Sequence, residues 1–120
     1  MTKLDALKKD YAKSLAQLEK VLQEKKTDIV RDSAIKRFEL TFDLSWKMIK
    51  TNLETNKGVV CNSPKDCFKE AYRNSVIDYD EKWILMTDWR NESVHNYSEE
   101  FADRLFDKLP EILKLFQSLK

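Results

Sequence analysis

Apolar residues recur in this chain at steps of three and four, with almost nothing to interrupt them. Leu4, Leu7, Tyr11, Leu15, Leu18 and Leu22 form one such series, and that spacing puts all six on one side of a long helix. Only one glycine and two prolines occur in 120 residues, far too few turn formers for a sandwich or barrel of short strands. The pattern therefore predicts an all-α fold, a bundle of four or five helices forming a single domain over residues 1–120. With 36% charged residues, the outer faces of those helices are expected to be solvated.

The first helix is expected over residues 3 to about 26, its other faces carrying interleaved lysines and acids. Thr27 and Asp28 can cap a second helix running to about Asn56, where Asn56-Lys57-Gly58 supplies a stop. Ile35, Phe38, Phe42 and Ile49 mark one stripe of it, and Leu40, Leu44, Trp46 and Met48 add apolar groups on other sides. So much apolar circumference implies a helix that is central in the bundle, or shared with a second chain, or both. Arg31, Lys36, Arg37, Lys47 and Lys50 give it a basic flank.

Ser63-Pro64-Lys65-Asp66 reads as a compact start for a short third helix, with a Ser cap and Pro in the first turn. Asp78 or Asp80 can cap a fourth helix carrying Trp83, Met86, Arg90 and Val94 along one side. Ser98-Glu99-Glu100 begins the last helix, whose face runs from Phe101 to Leu119 and contains Pro110, expected to kink or interrupt it.

Several function classes drop out. The lone Gly58 cannot build a phosphate-cradling loop or dinucleotide fingerprint, so no cofactor is expected. A net charge of +1 gives no global field for nucleic acid, and any RNA contact has to be local. Cys61 and Cys67 lack the spacing and company of a zinc site, so no metal is expected; they read as a buried small residue and a loop thiol in a reducing cytoplasm. No long apolar run or signal-like start appears, which points to a cytoplasmic protein without a membrane partner.

Candidate chemistry concentrates in Met86–Tyr97, which holds the single histidine, His95. Arg90 offers a planar fork of donors for phosphate oxygens, and an imidazole titrates near neutrality and can move a proton. Together they suit cleavage of a phosphodiester by the RNA 2′-hydroxyl without a metal, which needs a base, an acid and positive charge on the phosphorane. On an unbroken helix Arg90 and His95 sit roughly 140° apart, so the helix must end or distort near Ser93 and Val94, or the groups must converge across a dimer. With one histidine per chain, two copies meeting at His95 would supply base and acid. The bland alternative is that Arg90 pairs with Asp88, Glu92 or an acid on another helix, and that His95 serves only a helix end.

The run Arg37-Phe38-Glu39-Leu40-Thr41-Phe42-Asp43-Leu44-Ser45-Trp46-Lys47, then Ser63-Pro64 with Ala71, then Trp83-Ile84-Leu85-Met86 leading to Arg90-Asn91-Glu92-Ser93-Val94-His95-Asn96-Tyr97, resembles the nucleotidyltransferase substrate-binding protein family. That family is a branch of the HEPN superfamily of small helical proteins. The resemblance implies an up-and-down four/five-helix bundle, HEPN-like and homodimeric, that works beside a minimal nucleotidyltransferase in a two-gene, toxin–antitoxin type module. It implies a metal-independent endoribonuclease with Arg90 and His95 as the catalytic pair, Asn91 as a polar helper and Tyr97 as the acceptor of AMP from the transferase. It also leaves open an older reading, a noncatalytic subunit that presents substrate to the transferase.

Overall fold

The computed structural model describes residues 1–119 as five α-helices: α1 (Lys3–Leu22), α2 (Asp28–Asn52), α3 (Pro64–Arg73), α4 (Lys82–Ser93) and α5 (Glu99–Gln117). No strand occurs among the described residues. The expected caps are in place. Thr27 Oγ1 accepts the Val30 N–H, Ser63 Oγ accepts that of Asp66, and Ser98 Oγ accepts that of Phe101. Thr2 and Asp5 bond reciprocally at the start of α1, satisfying two amides that the first turn leaves without helical partners.

The 25-residue α2 is the axis of the bundle and packs against all four other helices. Phe38 and Phe42 on it are fully buried and join a chain of rings through Phe68, Trp83 and Phe116 to Tyr11. Burying each such side chain contributes roughly 1.5–3 kcal/mol, and the rings come from every helix. Tyr11 adds a polar tie: its hydroxyl donates to the Phe116 carbonyl at 2.7 Å. Thr41, Ser45 and Thr87 are buried with their hydroxyls donated to carbonyls one turn back, so these polar side chains enter the core satisfied.

Four expectations need correction. The α-helical part of α2 stops at Asn52 and a single π-turn, Leu53–Lys57, carries the chain to Gly58, whose φ of 65° ends it. A left-handed residue there is easiest without a Cβ. Pro110 does not interrupt α5, which is continuous through it. The ring is exposed, and buried Leu109, Ile112 and Phe116 hold the helix on both sides. Arg31 belongs to no basic flank: its side chain is 4% exposed and bonds Glu99 at 2.6 Å, Asp32 at 3.0 Å and Asp103 at 3.2 Å. Cys61 and Cys67 are not a buried residue and a loop thiol. Both are buried and joined as a disulfide, because the turn into α3 folds Cys61 back to a Cα–Cα distance of 5.1 Å. The expected Asp80 does serve the start of α4, its Oδ1 accepting the Lys82 N–H at 2.9 Å.

Candidate functional site

The candidate residues lie where α4 leaves α2. Ser93 is the last residue of α4 and Val94 its C-cap, so the helix ends where Arg90 and His95 would otherwise have diverged. Two carboxylates on α2, one turn apart, hold that end. Asp43 Oδ1 accepts from Arg90 Nη2 at 2.9 Å, and Glu39 Oε2 accepts from Ser93 Oγ at 2.6 Å. The Arg90 guanidinium also sits 5.6 Å from the centroid of the Phe42 ring. Asp43 occupies only Nη2. Arg90 Nη1 makes a long 3.4 Å contact with Asn91 Oδ1, and Nε is buried without a partner.

Beyond the break, the His95 and Asn96 amides bond back to the Glu92 carbonyl, closing a tight turn. The Asn96 side chain ties that turn on both sides, donating to Glu92 Oε2 at 3.0 Å and accepting the Ser98 N–H at 3.0 Å. Asn91 and His95 are exposed, and no hydrogen bond among the described residues involves the imidazole. Tyr97 is 87% exposed, its hydroxyl making a 3.4 Å contact with the Val94 carbonyl. It borders a groove of about 310 Å³ between α2 and the start of α5, with Ile35 and Ala102 on its apolar wall.

Arg31, which also lines that groove, clamps α2 to α5. The neighbouring carboxylates hold its proton even more firmly than an ordinary guanidinium does, Glu99 first and Asp32 next. Asp103, bonded by Lys26 and Arg31, has its pKa lowered from the usual carboxylate range. No group of three or more His, Cys, Asp or Glu side chains among the described residues could hold a metal ion. No helix among them is long and apolar enough to cross a membrane.

The arrangement is therefore an arginine with one edge pinned and another available, and an unencumbered imidazole just past a helix end. Arg90 and His95 are brought to the same end of α4 but are not bonded to each other, and Asn91 and Tyr97 flank them in solvent. Sequence reasoning missed Asp43, Glu39 and Ser93. The i, i+4 spacing of the two acids on α2 was the signal that could have found them.

Residues 7–120 match the family described as nucleotidyltransferase substrate binding protein like. The chain belongs to this family. Among relatives, it is 31% identical over 93 residues to a Haemophilus influenzae protein named "Probable ribonuclease HepT", an alignment covering 71% of this chain and 64% of that one. The chain thus spans somewhat under two thirds of that relative's length. The fold is also similar to a crystal structure of a Thermus thermophilus protein. The TM-score is 0.84 at 32% identity, covering 90% of this chain and 93% of the other.

Proposed function

We propose that this protein is a metal-independent endoribonuclease of the HEPN type, working as a homodimer and partnered by a minimal nucleotidyltransferase in a toxin–antitoxin type module. The supporting observation is the helix break at Ser93, which leaves the His95 ring free beside an Arg90 fixed by Asp43. In the proposed reaction a neutral His95 removes the proton of an RNA 2′-hydroxyl as its oxygen attacks phosphorus. Arg90 Nη1 stabilises the charge gathering on the phosphorane oxygens. Protonated His95 of the second copy protonates the departing 5′-oxygen as the P–O5′ bond breaks. The products are a 2′,3′-cyclic phosphate and a 5′-hydroxyl. Asn91 supplies a further polar contact beside Arg90.

Tyr97 is the proposed AMP acceptor. Its exposure suits attack of the phenol oxygen on the α-phosphorus of ATP held by the transferase, the bond to the β-phosphate breaking as pyrophosphate leaves and the phenol proton passing to solvent, and the added bulk and negative charge would obstruct a phosphate-binding cleft. Such a pair would work in the cytoplasm, where the Cys61–Cys67 bond would meet a reducing environment.

The test is cleavage of RNA by purified protein, with end analysis, alongside His95→Ala. Cyclic phosphate ends that vanish in the variant are expected. Cleavage that persists in His95→Ala, or by a strict monomer, rejects the reaction. A noncatalytic substrate-binding subunit is the second reading, favoured by the same Arg90–Asp43 pair, since an arginine spent on a neighbouring helix can be purely structural. On that reading a stable complex with the transferase forms and neither preparation cleaves RNA.

A further inference from the structure

At the opposite end of α4 from His95, roughly 17 Å along the helix axis at 1.5 Å per residue, two large rings stand in solvent. Tyr72 is 51% exposed and Tyr79 70%, and their centroids lie 5.3 Å apart with the rings edge to face. They wall a cavity of about 340 Å³ floored by Phe68 and Trp83. That volume lies within the size range of small-ligand pockets, roughly 300–1,000 Å³.

The rim is acidic. Asp78, Asp80 and Glu81 line the cavity with a single lysine, Lys69. None of these three carboxylates forms an ion pair among the described residues, whereas Glu70 on α3 and Asp88 on α4 each have one. A phosphate-bearing ligand would meet net negative charge here, so this is no extension of an RNA path.

The loop carrying the pocket is built to hold its shape. Ser75, at a φ of 60°, turns the chain out of α3. The Val76 and Ile77 amides then both bond the Ala71 carbonyl, at 2.8 and 3.4 Å. Both side chains are half-buried against the core, so Tyr79 projects from a fixed base. A preorganised aromatic pair costs little ordering on association, which is why tyrosine is frequent among the anchors of interfaces.

We propose that this tyrosine-walled, acid-rimmed pocket docks an arginine side chain from a segment of a partner protein. Arginine fits both halves of the chemistry. Its flat guanidinium packs on aromatic surface, and its donors pair with carboxylates in a planar fork. Whether the protein cleaves RNA has no bearing on this docking.

The probe is a blocked Ala-Arg-Ala tripeptide, titrated into the isotopically labelled full chain while the tyrosine ring signals are followed by NMR. Saturable shifts of Tyr72 and Tyr79 are expected, with none from the citrulline analogue, which keeps the shape and loses the charge. Tyr79→Ala, which alters an exposed ring, is expected to weaken binding at least tenfold, as is Asp78→Asn combined with Asp80→Asn. The proposal is overturned by absent saturation, by equal shifts with citrulline, by variants that bind as the parent does, or by AMP or an RNA oligomer binding the same rings more tightly.

Discussion

Replacing Asp43 by Asn tests whether the α2–α4 pair sets the geometry of Arg90 or only adds stability. The side chains are similar in shape, so the change removes charge and little else. At a charge separation of about 4 Å the Coulomb attraction is ~1 kcal/mol in a water-like dielectric and ~4 kcal/mol at an effective value of 20. The two side chains are 27% and 34% exposed, which places them between those limits, and desolvation and side-chain ordering offset most of the gain. A net loss of about 1 kcal/mol or less is expected, the upper range for partly exposed pairs. For a chain of 120 residues that is a melting-point drop of about 4 °C, using an unfolding entropy of roughly 2.1 cal/mol/K per residue.

Cleavage should respond much more strongly. Without the negative charge, a neutral amide oxygen, the Phe42 ring and the long Asn91 contact are left to hold the guanidinium, and hold it less tightly. A reacting group displaced by ~1 Å loses about a hundredfold in rate. We therefore expect kcat to fall tenfold to a hundredfold on a defined RNA oligomer, while thermal unfolding by circular dichroism moves by only a few degrees. An unchanged kcat would refute the positioning role. A fall of 10 °C or more would show that the pair is chiefly structural.

Tyr11→Phe removes the hydrogen bond to the Phe116 carbonyl and should cost about 1 kcal/mol, measured by urea unfolding. Phe38→Ala opens a cavity at the centre of the ring cluster and should cost roughly 3–5 kcal/mol, measured the same way. Asp103 is held below its ordinary range in the folded state by Lys26 and Arg31, so in acid the unfolded chain binds the proton first. Its contribution is fully present above the unfolded value and is lost as pH falls through the folded one. Stability should therefore decline on acidification, and Asp103→Asn should flatten that decline in unfolding curves taken between neutral and acid pH. Closing the loop of a few residues between Cys61 and Cys67 contributes about 2 kcal/mol on a chain-entropy account, so reduction by dithiothreitol should lower the urea midpoint accordingly.

The helices were legible because their signals are local. Thr27, Ser63 and Ser98 cap where a hydroxyl before an apolar series predicts, and the end of α4 at Ser93–Val94 matches one of the two arrangements the spacing of Arg90 and His95 left open. Tertiary choices were not legible in this way. Arg31 and Lys36 are both basic residues of one helix, and only the approach of α5 with Glu99 and Asp103 decides that one is enclosed and the other exposed. Likewise Asp88 and Glu92 stand near Arg90 in sequence, yet its partner is Asp43, 47 residues away, while Asp88 is taken by Lys65 of α3. Pairing across helices depends on their crossing, which no single helix encodes. The disulfide escaped for the same reason, since it depends on how the π-turn and Gly58 aim the connector into α3.

The bond from Tyr11 to Phe116 spans 105 positions, and Phe116 also touches the rings of α2 and α4. During vectorial synthesis on the ribosome, α1 and α2 can form their hairpin early, but the centre of the bundle stays unfilled until the segment bearing Phe116 has emerged. A fragment ending before Phe116 would therefore keep the α1–α2 hairpin and lose the ring that joins α5 to Tyr11, Phe38 and Trp83.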